Sequence, residues 1–307
     1  MDQNSIYFKQ VQLLIEILPF VTMGKYFALK GGTAINLFVR DMPRLSVDID
    51  LMYLPLEPRD ASLAQIAKIF EEMATTIESN MKFTKVHKLN QRGDGELSKL
   101  QVERKGVRIK IEASPVMRGT VREPVLMQIT EKVQEMFGFV STNVVHMDDL
   151  YAGKMCAALD RQHPRDFYDI RGLLDNEGIS DALMDVFIVY LISSNQPIAK
   201  LLNPNRIDIS HEYEKQFVGM TTVPVELETL LQTREELVAT ISDKLTQEHK
   251  DFLIGFKQGN PDWSLLPFEN IQNLPSIKWK IVNLSKMDNT ARENAVQKLK
   301  NTLQIEI

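Results

Sequence analysis

Two aspartates stand two residues apart at Asp48 and Asp50, within Ser46-Val47-Asp48-Ile49-Asp50-Leu51, an alternation that suits a β-strand. Successive strand side chains point to opposite faces, so the two carboxylates share one face while Val47, Ile49 and Leu51 take the other. Side by side they repel, and a cation between them relieves the repulsion. An all-oxygen pair of this kind suits Mg²⁺ or Mn²⁺. Upstream, Gly31-Gly32-Thr33 opens an apolar helical run. Glycines let backbone approach a ligand closely, and a helix N-terminus attracts phosphate through its free N–H groups and dipole. A metal site and a phosphate cradle one connection apart read as nucleotide chemistry. Ser46 adds a hydroxyl at the same strand end that could serve the site or the structure.

That chemistry needs a strand, a tight turn, a helix and a second strand in order, and the surrounding chain supplies them. Ile6, Val11, Leu14, Ile15 and Leu18 give residues 5–18 a helical rhythm that Pro19 should end. Residues 27–29 form a short strand feeding the glycine turn, 33–40 the helix, which Pro43 breaks, and 45–52 the acidic strand, closed by Pro55 and Pro58. Residues 61–81 read as a long amphipathic helix through Leu63, Ile66, Ile69, Phe70, Met73 and Ile77. Strands then follow at 83–89, 97–104 and 107–113, with turn signals at Arg92-Gly93-Asp94-Gly95 and Lys105-Gly106. In the last strand Val107, Ile109, Ile111 and Ala113 take one face and Arg108, Lys110 and Glu112 the other, a charged face that is either solvated or turned to a charged site. From Met147 onward the pattern is helical. Residues 147–161 carry Asp148 and Asp149 in the first turn, where they suit the dipole, and a further helix opens after Pro164. Residues 182–195 form an apolar helix, 221–256 one or two more, 258–275 a looser stretch, and Asp288 N-caps a last helix running to Leu303.

The wording LKGGTAINLF followed by RLSVDIDL resembles the polymerase-β-like nucleotidyltransferase superfamily, and within it the AbiEii/AbiGii toxin family that includes the MenT toxins. The resemblance implies an α+β fold, with a nucleotidyltransferase core of mixed sheet and flanking helices over residues 1–145. A helical domain over 146–307 would follow, completing the nucleotide site and contacting the acceptor. It further implies a third carboxylate on a later strand, a place that Glu112 in Ile111-Glu112-Ala113 fits if antiparallel pairing sets it beside Asp48 and Asp50. Lys110 on the same face could contact phosphate, as could Gly31, Gly32, Thr33 and Ser46. A second cluster, Lys154 and then Arg165-Asp166-Phe167-Tyr168-Asp169-Ile170, matches the family pattern too. There the resemblance makes Lys154 a phosphate ligand and either Asp166 or Asp169 the functional acid, between which the spacing does not choose. Arg161, His163, Arg165 and Arg171 make this the most basic short segment near the expected site, suited to a phosphate chain or an RNA end, with His163 a surface or capping residue. The implied activity is Mg²⁺- or Mn²⁺-dependent transfer of a nucleoside monophosphate from an NTP to an acceptor. By analogy with MenT-like relatives the acceptor is the 3′ end of tRNA, in a toxin–antitoxin or phage-defence setting with a cognate antitoxin. Competing readings are transfer to a small molecule such as an aminoglycoside, transfer to a protein hydroxyl, and a non-catalytic interaction protein on the same fold.

The 307 residues suffice for two domains, and 44% apolar content is ample for a core. With 36 basic against 41 acidic residues the net charge is −5, so any nucleic-acid partner must be met by a local patch. The single Cys156 excludes an intramolecular disulfide and reads as a buried structural thiol. The first twenty residues lack a basic n-region and an uninterrupted apolar core, and no run reaches the ~18–20 apolar residues of a membrane span. A cytoplasmic protein without a membrane partner is expected.

Overall fold

The computed structural model describes residues 5–21, 25–89 and 97–304, so the turn expected at Arg92-Gly93-Asp94-Gly95 lies outside the described residues. The chain divides into two compact units, Met1–His146 and Met147–Ile307.

The first unit opens with α1 (Ile6–Val21), followed by β1 (Phe27–Lys30) and α2 (Gly31–Ala34), which continues as a π-helical turn over Ile35–Val39. Next come β2 (Asp48–Tyr53), α3 (Arg59–Asn80), β3 (Thr84–Leu89), β4 (Lys99–Arg104), β5 (Val107–Arg118), β6 (Val125–Gln128), α4 (Glu131–Phe137) and β7 (Ser141–Val144). The strands make one mixed sheet in the order β3-β4-β5-β2-β1-β7-β6. Its apolar face carries Phe27, Leu29, Ile49, Leu51, Tyr53, Ile109 and Ile111, all buried. Phe27 meets Phe70 of α3 edge to face at a centroid separation of 5.8 Å.

Three sequence expectations are corrected here. Pro19 lies inside α1, which runs to Val21; so close to the C-terminus a proline forfeits little of the helical ladder. The acidic strand begins at Asp48, not Leu45, and β5 runs on to Arg118 past Ala113. Most importantly, β2 and β5 pair in parallel, not antiparallel. The connection explains it: a strand–helix–strand passage through α3 keeps β3 in the direction of β2, and the two reversals into β4 and β5 restore that direction.

The second unit is helical: α5 (Met147–Arg161), α6 (Pro164–Asp175), α7 (Asp181–Ser193), α8 (Ile198–Leu202), α9 (Ser210–Gln216), α10 (Leu227–Lys244), α11 (Gln247–Gln258), α12 (Pro275–Ser285) and α13 (Asn289–Leu303). The stretch 221–256 resolves into two helices because Thr246 starts α11 with a capping box, its hydroxyl accepting from the His249 amide while the His249 ring accepts from the Thr246 amide. Asp288 caps α13 through the Ala291 amide at 2.8 Å, as its side chain suggested. Helices α5 and α7 meet at Gly153, where an added Cβ would stand 3.3 Å from the Tyr190 ring. Burial raises the Tyr190 hydroxyl's pKa well above its ordinary value, and the Asp149 carboxylate beside it adds to the rise. The protonated hydroxyl donates to Asp149 Oδ1 at 2.9 Å. No described helix is long and apolar enough to cross a membrane.

Asp149 is 1% exposed, so Tyr190→Phe removes a donor from a carboxylate that water cannot reach. The expected loss is about 1.5–3 kcal/mol, read as a lower urea midpoint at unchanged slope.

Candidate active site

The parallel register sets Asp50 directly beside Glu112 and Asp48 beside Lys110. Laterally paired residues project to the same side, so the polar face of the sheet carries Lys30, Asp50, Glu112 and Lys99 in one row across β1, β2, β5 and β4. The next row holds Asp48, Lys110 and Gln101. Asp48 and Lys110 are exposed, whereas Asp50 and Glu112 are half-buried. Glu112 is not gathered with the aspartates: its Oε1 accepts from Lys99 Nζ at 2.8 Å. Among the described residues, no three His, Cys, Asp or Glu side chains converge as a ligand set. The donor chemistry of Asp48 and Asp50 still fits a divalent ion, since Mg²⁺ takes one or two carboxylates and fills its octahedron with phosphate and water oxygens.

Gly31 lies against this face. It adopts φ +76°, and a Cβ there would stand 2.6 Å from Asp50 Oδ2, so both backbone and space demand glycine. Gly32 is confined in its own way, since its Cβ would meet Arg44 Nη2 at 2.7 Å and Ser46 Oγ at 2.8 Å. Arg44 is buried and donates through Nη1 to the Leu45 carbonyl, while Asn36 Nδ2 donates to the Gly32 carbonyl at 2.9 Å. The segment between the helix and β2 is thereby folded onto the glycine turn. Thr33, fully buried, donates to the Asp48 carbonyl at 2.5 Å. Its one proton being used, the 3.1 Å contact with Ser46 runs from Ser46 Oγ to Thr33 Oγ1. Both hydroxyls therefore tie the turn to the acidic strand. The π-helical turn, an irregularity frequent at functional sites, immediately follows.

The second cluster lies wholly in the helical unit. Lys154 on α5 is 6% exposed, and its ammonium donates to Asp166 Oδ1 and Asp169 Oδ2, each at 2.9 Å. Three residues apart on α6, both acids meet the same cation. Arg161 adds two bonds to Asp166, from Nε at 2.5 Å and from Nη2 at 2.8 Å. Burial alone would push the Asp166 carboxyl up, but the Lys154 and Arg161 charges override it and hold the group well below the usual carboxylate range. His163 caps α6, its Nδ1 accepting from the Arg165 amide, which leaves the proton on Nε2 facing Gln216. Burial lowers its pKa, consistent with a neutral ring. Arg171 spans Asp175 and Glu236, each at 2.5 Å, so the basic segment is partly neutralised by its own acids.

Residues 12–281 match the family described as nucleotidyl transferase AbiEii toxin, of type IV toxin–antitoxin systems. The chain belongs to the AbiEii family. It is a nucleotidyltransferase of that toxin class. Among solved structures it is similar to MenT4, a nucleotidyltransferase toxin from Mycobacterium tuberculosis H37Rv, over 96% of this chain and 92% of that one, with a TM-score of 0.61 and 15% identity, a likeness of fold. No curated protein matches.

Of the residues expected in this AbiEii chain's site, the structure brings Gly31, Asp48, Asp50, Lys110 and Glu112 to one sheet face, with Thr33 and Ser46 bracing it. It brings Lys154, Asp166 and Asp169 together separately, with Arg165 one residue before the first acid. Sequence reasoning missed Lys30, Lys99 and Arg44. The alternation of β4 opposite β5 could have flagged Lys99, whereas Arg44 carried no pattern.

Two outcomes test this geometry. Gly31→Ala should cost about 1–2 kcal/mol from the left-handed backbone alone and displace the Asp50 carboxylate, so activity should fall further than the melting temperature does. Asp166 has a folded pKa below its unfolded ~3.9, so the stability it contributes is present above that value and lost as pH falls through the folded one. Stability of wild type should therefore decline between about pH 5 and pH 1, and Asp166→Asn should flatten that decline in denaturant titrations at stepped pH.

Proposed function

We propose that this AbiEii chain transfers a nucleoside monophosphate from an NTP to the 3′ end of a tRNA, with a divalent ion held by Asp48 and Asp50. The observation that carries the reading is the Asp50 carboxylate packed against a glycine with no room for a side chain, on a face that also bears Asp48. A Mg²⁺ or Mn²⁺ ion bound there would lower the pKa of the acceptor hydroxyl and offset charge on the triphosphate. The Gly31-Gly32 backbone lies beside the place where that tail would sit. Lys30 and Lys110, on the same face, would neutralise phosphate charge as it shifts toward the leaving group. In the transfer the hydroxyl gives up its proton to water as its oxygen attacks the α-phosphorus, the bond from that phosphorus to the bridging oxygen breaks, and pyrophosphate leaves with the electron pair. Glu112, on the same face beside Asp50, shares its charge with Lys99 and stands outside the pair that would hold the ion.

Lys154, assigned to phosphate by the resemblance, is on this reading a positioning residue. Its ammonium joins α5 to α6 through Asp166 and Asp169, and so fixes the segment carrying Arg161 and Arg165. The tRNA acceptor rests on the resemblance to MenT-like relatives, and the type IV class supports a cognate antitoxin as partner. The tRNA and NTP pools place the action in the cytoplasm, as growth arrest or phage defence.

Incubation with each α-labelled NTP, Mg²⁺ and a mixture of tRNA, protein and aminoglycoside should put label on the tRNA 3′ end. The Asp48→Ala/Asp50→Ala double variant should lower transfer by at least on the order of 10²–10³-fold. It should keep its fold, and Mg²⁺ with NTP should no longer raise its melting temperature. Label on protein or drug instead of RNA would replace the acceptor; undiminished transfer by the double variant would remove the site.

A further inference from the structure

A groove of about 660 Å³ runs between α1, the end of α3 and the β4–β5 turn, within the first unit. It is lined by Lys9, Lys82, Arg104 and Lys105, together with Glu16 and Phe83. Among the described residues the one carboxylate lining it, Glu16, is ion-paired to Arg104. Four cations thus stand against one carboxylate, a local net charge of +3, in one groove of a chain whose net charge is −5. Glu112 and the two aspartates belong to the opposite face of the sheet, because Val107 and Arg104 at the groove are on the face of Ile109 and Ile111.

The aromatic is the second observation. Phe83 is 80% exposed and adopts φ +61°, while Lys105, beside it at the β4–β5 turn, takes the positive φ that a two-residue hairpin turn requires. A bulky residue in the left-handed region is an outlier that persists only where surrounding structure imposes it, and such outliers cluster at ligand clamps. Here the strain does not bury the ring; it presents it. Lys105 Nζ stands 5.9 Å from the ring centroid, a cation beside a π-face. An exposed aromatic flanked by lysines is what a nucleic-acid strand needs: stacking for a base and cations for the phosphates on either side.

We propose that this groove binds a single-stranded stretch of RNA, with one base stacked on Phe83 and the adjoining phosphates met by Lys9, Lys82 and Lys105. The inference rests on the proposed RNA acceptor for its use and adds a docking tract away from the acidic face. An acidic peptide would satisfy the lysines but leave the ring without a role, so the ring favours RNA.

Fluorescence anisotropy of a labelled 12-mer single-stranded RNA on the full chain tests it, with Phe83→Ala and a Lys9→Ala/Lys82→Ala/Lys105→Asn triple variant. Asparagine is chosen at 105 because it tolerates the left-handed backbone. Phe83→Ala should weaken binding roughly 5- to 150-fold. The triple variant should reduce the slope of log Kd against log salt by about 2. The NTP-induced rise in melting temperature should be unchanged in both variants, showing that the fold and nucleotide site persist. Unchanged RNA affinity in both variants overturns the proposal. So does a poly-glutamate peptide that binds as tightly, weakens in the triple variant and ignores Phe83→Ala, since the groove then belongs to an acidic protein. The two readings separate cleanly: wild type that labels no RNA while Phe83→Ala still loses the oligonucleotide sinks the acceptor and leaves the groove. Transfer to tRNA with an unchanged KM in both variants does the reverse.

Discussion

A carboxylate occupies the space that a side chain at residue 31 would need. This contact between Asp50 and Gly31 constrains several elements of the first unit at once. It requires β1 to hand directly into a left-handed glycine, and β2 to run antiparallel beside β1 with Lys30 opposite Asp50. The Thr33 hydroxyl must be spent on the Asp48 carbonyl to hold turn and strand together. Seen this way, the glycine pair is less a flexible element than a rigid one: Gly31 is pinned by Asp50, Gly32 by Arg44 and Ser46. Preorganisation of this sort is what positions charge before a substrate arrives, and it costs no reorganisation at the moment of reaction.

The two units treat acids in opposite ways. On the sheet, Asp48 and Asp50 sit two apart on one face, and Glu112, beside Asp50, is met by a half-exposed lysine. That pattern stores repulsion which a divalent ion can relieve. In the helical unit, Asp166 and Asp169 are buried and fully met by Lys154 and Arg161. A buried ion cluster of this kind adds little net stability over apolar packing, yet losing one partner is costly, so it specifies a geometry more than it strengthens one. The same residue types thus mark a reactive surface in one unit and a structural tie in the other, and burial decides which.

Local order explains what could be read in advance. The glycine turn, the acidic strand, the charged face of β5 and the Asp288 cap all follow from neighbours within a few residues, and periodicity or capping chemistry exposes them. The parallel pairing of β2 with β5 does not, because it depends on how α3 and the β3–β4 reversal return the chain, a property of no short window. Lys99 escapes for the same reason: its partner Glu112 is fixed by hairpin register, not by spacing. The strands β6 and β7, four residues each, are too short to show alternation, and the π-helical turn has no sequence period of its own. The lysine cluster was visible as a pattern but not as a buried one, since spacing on α6 places Asp166 and Asp169 together without saying what faces them.

Net charge then sharpens the question of how such a chain would meet RNA. At −5 the protein's far field repels a polyanion, so long-range steering of the kind that speeds basic proteins to nucleic acid is not available to it. Attraction has to be built at contact distance, within a Debye length of about 8 Å at physiological salt, where local cations outweigh distant acids. On the sheet's acidic face, Asp50 and Glu112 stand side by side with Lys30 and Lys99 flanking them, which favours a ligand that brings its own divalent ion over a bare phosphate chain. The groove of Lys9, Lys82 and Lys105 has no such acidic pair, and among the described residues its one acid is already engaged by Arg104. Separating the two environments on opposite faces of one sheet lets each keep the charge its chemistry needs. A site that must repel carboxylates without a metal, and a groove that must hold phosphates without one, could not share the same patch of surface.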